Sequence, residues 1–287
     1  MIIGVIGHGV VGGAVAAGMR RLGHDVRIHD LKLGTDIDVV SESEIVFICV
    51  PTPQKADGSC HTGIVEDVVG QLIDGIGFKG IIAIKSTVTP GTTEKLAEKY
   101  GGKFPGRNIA FVPEFLREKS AFYDFTEGHD LLIVGTTNYG WSEETADKII
   151  AAHGHYPTTV AKMSSTEAEL AKYYSNVFNA LRITFANGFF DVCNKLNANY
   201  TRIKNAMVQR PTIENFYLDV NDNFRGFAGV CLPKDTAAFA QLAFSLGVQA
   251  SIFKSIVEDN KLYKPTVPQG MRLDYPIVGE NQNQVVS

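Results

Sequence analysis

No run of apolar residues in this chain approaches the about 20 that a membrane-crossing helix needs. No block of lysine or arginine offers counter-charge to a nucleic acid, and a net charge of -4 leaves no strong field of either sign. Cysteine is scarce: Cys49, Cys60, Cys193 and Cys231 are widely spread and form no CxxC pair. That pattern points away from a zinc site or a disulfide framework and towards free thiols in a reducing compartment. Cys60 and His61 are adjacent but lack further ligands, so they read as a loop and no metal site is expected. The opening stretch MIIGVIGHG has neither the charged region nor the long apolar core of a signal peptide, so a cytoplasmic location is expected. Internal repeats and low-complexity tracts are also missing. What remains is the composition of a soluble globular protein, 45% hydrophobic over 287 residues, long enough for two domains.

In the first part of the chain, short apolar runs (IIGVI, DVRIHD, IVFICV, IIAIKS, NIAFV, DLLIVG) alternate with amphipathic stretches (VVGGAVAAGMRRLG, GIVEDVVGQLIDGI, GTTEKLAEKYG, SEETADKIIAAHG). This alternation predicts strands of a mostly parallel sheet with helices on both faces. From residue 164 the pattern becomes helical, opening with a proline-free stretch whose Ser164 and Glu167 have the spacing of a capping box. Such a long helix suits a domain connector or a contact between two copies of the chain. Helices are also expected at 232–246 and 250–262. The domain boundaries expected are 1–162, 163–265 and a partly ordered tail, 266–287.

Gly7, Gly9 and Gly12 spell GxGxxG between the first expected strand and the first expected helix. The first glycine permits the turn, the second lets a pyrophosphate approach the backbone, and the third lets helix and strand pack closely. The second strand ends in Asp30, where a carboxylate accepts ribose hydroxyls and repels a 2′-phosphate, so NAD is expected rather than NADP. Lys32 works against that preference if it faces the ribose, and is otherwise a solvated loop lysine. The class expected is α/β, a Rossmann-type doubly wound parallel sheet followed by a mostly helical domain. CVPTPQ, KSTVTPGTT and VPEFLREKSAF fall at strand ends on the ligand-binding edge of such a sheet. Pro51, Thr52, Ser86 and Thr87 therefore join Gly7, Gly9, Val10, Val11, Gly12, Asp30 and Lys32 as cofactor-binding candidates.

A second unusual stretch is GFAGVCLPKDTAAF, residues 226–239. Proline fits the first turn of a helix, so Pro233 puts Cys231 at or just before a helix N-terminus. There the helix dipole and the ammonium of Lys234 favour thiolate over thiol. A buried, inert cysteine is the plainer alternative. On the long helix Glu169, Lys172, Asn176 and Asn179 share one face, either a hydrated surface or, beside an active thiol, a set of groups for an oxyanion.

The segments GVIGHGVVG, FICVPTP, KSTVTPGTT, PEFLREKSAFYDF, AELAKYYSNVFNALRITFAN and GFAGVCLPKD resemble, in order and spacing, the motifs of the UDP-glucose/GDP-mannose dehydrogenase family, most of all its UDP-glucose 6-dehydrogenase branch. The resemblance implies a four-electron oxidation of a nucleotide-sugar primary alcohol to a carboxylate with two NAD in succession. It makes Cys231 the nucleophile that holds the intermediate aldehyde as a thiohemiacetal and then a thioester. It makes Lys172 an oxyanion stabiliser and Asn176 a ligand of the sugar oxygens and the catalytic water. Asp235 handles the alcohol proton with Lys172, Glu114 places water for thioester hydrolysis, and Thr87 orients that water network. Glu118 lies towards the nicotinamide, while Phe115, Leu116, Phe227 and Ala228 line the sugar site.

Three departures from the family pattern stand out. Too few residues follow the last expected helix to build the nucleotide-binding domain with which family members usually continue. The chain is thus a natural minimal form, one partner of a separate polypeptide, or truncated. QRPTI replaces an element whose arginine reaches the substrate, leaving Arg210 displaced by two positions. Ala228 and Val230 add bulk to the cysteine loop, where the family has glycine and serine. The function expected is an NAD-dependent nucleotide-sugar 6-dehydrogenase acting as a homodimer on UDP-glucose or a similar sugar. The alternative is a non-catalytic NAD-binding or accessory chain that needs a separate nucleotide-binding partner.

Overall fold

The computed structural model describes residues 1–105, 108–137 and 143–266. The described residues divide into two compact units, the first formed by Met1–Pro53 and Cys60–Lys172, the second by Gln54–Ser59 and residues 173–266. Of the tail read as partly ordered, 266–287, residues 267–287 lie outside the described residues, as does the start of the stretch SEETADKIIAAHG.

Unit one is a seven-stranded sheet in the order β2-β1-β3-β4-β5-β6-β7. Its strands are β1 (Ile2–Ile6), β2 (Asp25–His29), β3 (Ile45–Ile48), β4 (Ile81–Ile84), β5 (Ile109–Phe111), β6 (Leu131–Thr136) and β7 (Thr159–Ser164). All neighbours run parallel except β5 and β6. Strands β3 and β4 are buried at every position, as apolar runs covered on both faces must be. Helices α1 (Val10–Arg21), α2 (Gly63–Gly70), α3 (Thr92–Tyr100), α4 (Ala121–Phe125) and α5 (Glu143–His153) complete the unit. The helix expected from GIVEDVVGQLIDGI turns π-helical over Gln71–Gly75. One core cluster packs α1 and α5 on one face of the sheet, and a second packs α2 and α3 on the other.

The sequence reading missed β7. Its residues, TVAKMS, are exposed or half-exposed throughout, so no apolar run marks it; parallel pairing with β6 along its whole length makes it a strand. It leads directly into α6 (Ser165–Lys195), 31 residues long. The capping box forms as expected. The Ser164 N–H and Oγ donate to Glu167 Oε2 at 2.8 and 2.7 Å, and the Glu167 N–H donates to Ser164 Oγ at 3.3 Å.

Unit two holds the rest of α6 with α7 (Tyr200–Met207), α8 (Leu232–Ser245) and α9 (Ile252–Asn260). Its inner cluster joins Val177 and Ala180 of α6 to Phe227 and Ile256. Phe239 of α8 meets Phe253 of α9 edge to face at 4.9 Å. A second cluster packs Tyr200 of α7 against Ala186, Phe190 and Cys193. Helix α7, which is not among the helices expected from the sequence, starts on an Asn199 cap.

Candidate active site

Because β1, β3, β4 and β5 run parallel, the segments that follow them leave the same edge of the sheet. The strand order changes direction at β1, which lies between β2 and β3, and the GxGxxG turn sits there. Its glycines meet different surroundings. Gly7 has φ +88°, and an added Cβ would come within 2.6 Å of the Cys49 carbonyl oxygen. At Gly12 an added Cβ would lie 1.8 Å from the Gly7 carbonyl oxygen, whereas at Gly9 it would meet nothing within 4 Å. Gly9 is the N-cap of α1 and brings no side-chain cap to it, so the open face in front of the helix end suits an anion. Val10 and Val11 form the first turn. Asp30 Oδ2 accepts the His8 N–H at 2.6 Å and Oδ1 accepts the Lys32 N–H at 2.8 Å. Burial alone would raise the Asp30 pKa, but the N–H groups of His8, Lys32 and Leu33 hold it below the ordinary value. The carboxylate thus stays ionised at the end of β2, while Lys32 is exposed.

Pro51 is exposed, and Thr52, Ser86 and Thr87 are buried. Ser86 Oγ donates to the Val50 carbonyl at 2.8 Å, tying the loop after β4 to the loop after β3, and the Thr87 carbonyl accepts from Cys60 Sγ at 3.4 Å. Beyond β5, Glu114 and Lys172 form a buried pair. Lys172 Nζ donates to Glu114 Oε1 at 2.8 Å and to the Glu114 carbonyl at 2.6 Å, and Glu114 Oε2 accepts the Leu116 N–H at 2.7 Å. Phe115 presents its ring to Lys172 at 5.7 Å. Glu118 opens a short 3-10 turn, half-buried. Glu169, one turn before Lys172, accepts from the N–H groups of Gly91 and Thr93 and from Thr93 Oγ1 at 2.5, 2.9 and 2.6 Å, so it caps α3. Burial raises its pKa to about 7 against those donors.

In unit two Cys231 is the N-cap of α8, with proline in the first turn. It is the exposed cysteine; Cys60 and Cys193 are buried, and burial pushes the half-buried Cys49 thiol up to about 12. The buried alternative for Cys231 is thereby overturned. Asp235, one turn into α8, has a carboxylate only 1% exposed. Its Oδ2 accepts from Asn176 Nδ2 at 2.6 Å and its Oδ1 accepts from the Lys234 ammonium. Phe227 is buried and Ala228 half-buried beside it, while Arg210 is exposed after α7.

The NAD binding domain model of the UDP-glucose/GDP-mannose dehydrogenase family matches residues 27–151, and the central domain model of that family matches residues 166–262. The chain belongs to the UDP-glucose/GDP-mannose dehydrogenase family. It is 31% identical over 229 residues to the UDP-glucose 6-dehydrogenase YwqF of Bacillus subtilis, covering 77% of this chain and 49% of that one. To the UDP-glucose 6-dehydrogenase of Rickettsia prowazekii it is 34% identical over 219 residues, covering 76% and 49%. The structure of a UDP-glucose dehydrogenase from Pyrobaculum islandicum superposes with a TM-score of 0.80 at 32% identity, over 91% of this chain and 68% of that one. The chain spans about half the length of the curated relatives it matches.

An NAD fits the first unit of this family member: the open Gly9, the uncapped start of α1 and the ionised Asp30 supply what a pyrophosphate and an adenosine ribose require. Several buried polar groups escaped sequence reasoning. Lys85 is 3% exposed, its ammonium 5.7 Å from the ring centre of Phe47 and 6.0 Å from that of Phe125. Burial lowers its pKa to about 8. His129 and His153 stack edge to face at 5.8 Å in the same region. Both are held neutral, with pKa values lowered to about 4 and about 3 by burial first and by the Lys85 charge second. No spacing rule links residues on separate elements, so only composition hinted at them.

Proposed function

We propose that the chain is an NAD-dependent nucleotide-sugar 6-dehydrogenase that oxidises UDP-glucose, or a close analogue, to the uronate. The observation that carries this reading is the exposed Cys231 at the start of α8, one helical turn from the buried Asp235–Asn176 pair. Each oxidation removes a hydride from the sugar C6 and a proton from the hydroxyl oxygen it carries. NAD supplies the hydride acceptor, two molecules per sugar. Asp235, with Lys172 and a water, takes the proton of the alcohol. The Cys231 thiolate then forms a C–S bond to the aldehyde carbon, giving a thiohemiacetal whose C–H bond is lost in the second oxidation. Lys172 and Asn176 stabilise the oxyanions. Water, placed by Glu114 and Thr87, adds to the resulting thioester and releases the acid and the free thiol.

Residues Phe115, Leu116, Phe227, Ala228 and Arg210 belong to the sugar-binding part of this reading, and Pro51, Thr52, Ser86 and Glu118 to the cofactor part. The working form is a homodimer. Tyr174, Phe178, Phe185, Phe189 and Val192 follow one another on α6 at steps of three, four or seven residues and are all exposed, a stripe that a second copy would cover.

Counting NADH formed per UDP-glucose consumed, beside a Cys231→Ser variant, tests the proposal. Two NADH per sugar, with the variant inactive or stopped after one oxidation, is expected. Full turnover after alkylation of Cys231 would leave a simpler alcohol dehydrogenase. No NADH from any nucleotide sugar, with NAD still bound, would leave a chain that works only with a separate nucleotide-binding partner.

A further inference from the structure

The 24 residues between α7 and α8 contain only turns and one isolated bridge, Asn221 to Phe224, yet they deliver Cys231 to the start of α8. A thiol at the end of such a loop has a defined position only if something holds the loop. Three consecutive residues, 225 to 227, are held by side chains of other elements of unit two. Arg225 Nε donates to Asn187 Oδ1 of α6 at 2.7 Å, and its terminal nitrogen donates to both oxygens of Asp191 at 2.7 and 2.8 Å. The guanidinium lies over the rings of Phe190 and Tyr263 at 5.0 and 4.6 Å. The Gly226 N–H donates to the same Asn187 Oδ1 at 3.1 Å.

Phe227 is held at both backbone polar atoms. Its N–H donates to Asn260 Oδ1 at 2.8 Å, and its carbonyl accepts from Asn260 Nδ2 at 2.9 Å. One carboxamide at the end of α9 thus stands in for a neighbouring strand, and only a group with one donor and one acceptor in that arrangement can do so. The fit is close: Gly226 has φ +59°, and an added Cβ there would lie 2.9 Å from Asn260 Oδ1. The Phe227 ring is buried among Val177, Ala180 and Ile256. Past this anchor only Ala228, Gly229 and Val230 separate the held backbone from Cys231.

We propose that Asn260, together with Asn187 and Arg225, is a positioning residue that holds Phe227 and thereby fixes Cys231 at the N-terminus of α8. The inference rests on the reading of Cys231 as the nucleophile, but its test does not need turnover. The rate of Cys231 alkylation by iodoacetamide is followed by peptide mass spectrometry between pH 6 and 9, with buried Cys193 as the internal reference. In Asn260→Ala the rate-against-pH curve is expected to move to higher pH, because a thiol released from the helix end loses the stabilisation of its thiolate there. The rate near pH 7 should fall at least fivefold, and NAD affinity should stay unchanged. Asn260→Asp, which keeps the acceptor for the Phe227 N–H but not the donor for its carbonyl, should fall between parent and Asn260→Ala. It also serves as the test if Asn260→Ala does not fold. A Cys231 rate and pH curve within twofold of the parent in a folded Asn260 variant overturns the proposal. Full turnover by Cys231→Ser would instead overturn the nucleophile reading and leave the alkylation result standing as evidence of position alone.

Discussion

At Gly9 a substitution separates binding from folding, because space is open in front of it while Gly7 and Gly12 touch backbone. Gly9→Ala should fold with stability within about 1 kcal/mol of the parent, since alanine is a poorer N-cap but meets no atom. A methyl group in the path of a pyrophosphate should weaken NAD at least tenfold in calorimetric titration. Gly12→Ala should instead fail as a fold, its Cβ placed 1.8 Å from the Gly7 oxygen. An unchanged NAD affinity in Gly9→Ala would remove the cradle from the cofactor site. The same scale holds the difference between an inert and an available thiol: burial pushes Cys49 up to about 12, while Cys231 is exposed at a helix end.

Helix α6 carries three tasks along its 31 residues. Its first turn closes a capping box, its next turns present Glu169 and Lys172, and its later turns display the exposed aromatic stripe. A helix apolar on more than its core-facing side is covered by something. Phe185→Glu combined with Val192→Glu should convert a two-chain particle to one chain in light scattering, with NAD affinity retained because both positions lie outside unit one. A parent that scatters as one chain, or a double variant that remains paired, would show that this stripe is not the dimer contact.

At the scale of the whole molecule two buried histidines add to the loss of stability in acid. His129 and His153, with folded pKa values of about 4 and about 3 against an ordinary 6.5, bind no proton in the folded state where the unfolded chain would. Stability is therefore present above pH 6.5 and lost as the pH falls from 6.5 towards 3. At about 1.4 kcal/mol per pKa unit, His153 alone is worth on the order of 3 kcal/mol between pH 6.5 and 4. His153→Phe replaces a ring that already stacks on Phe47 and removes a buried nitrogen without a partner. Urea unfolding at pH 7, 5.5 and 4.5 should show a shallower loss of stability in this variant; parallel curves would mean that His153 titrates freely.

Features decided within one helical turn or one strand-turn-helix were legible before any coordinates. The GxGxxG turn with Asp30, the Ser164–Glu167 cap and the placement of Cys231 before Pro233 all depend on near neighbours, so the order of residues determines them. The long α6 was also plain, because no proline or glycine pair interrupts its pattern. Strand β7 was not, since its exposed residues carry no apolar signal and only pairing with β6 makes it a strand. The partner of Asp235, the Lys85–His129–His153 cluster and the Asn260 anchor were likewise out of reach. Asn176 lies 59 residues from Asp235, and Asn260 lies 33 from Phe227. Periodicity says which face of an element is buried; which polar groups meet across that distance follows only from packing, where each buried donor must find an acceptor.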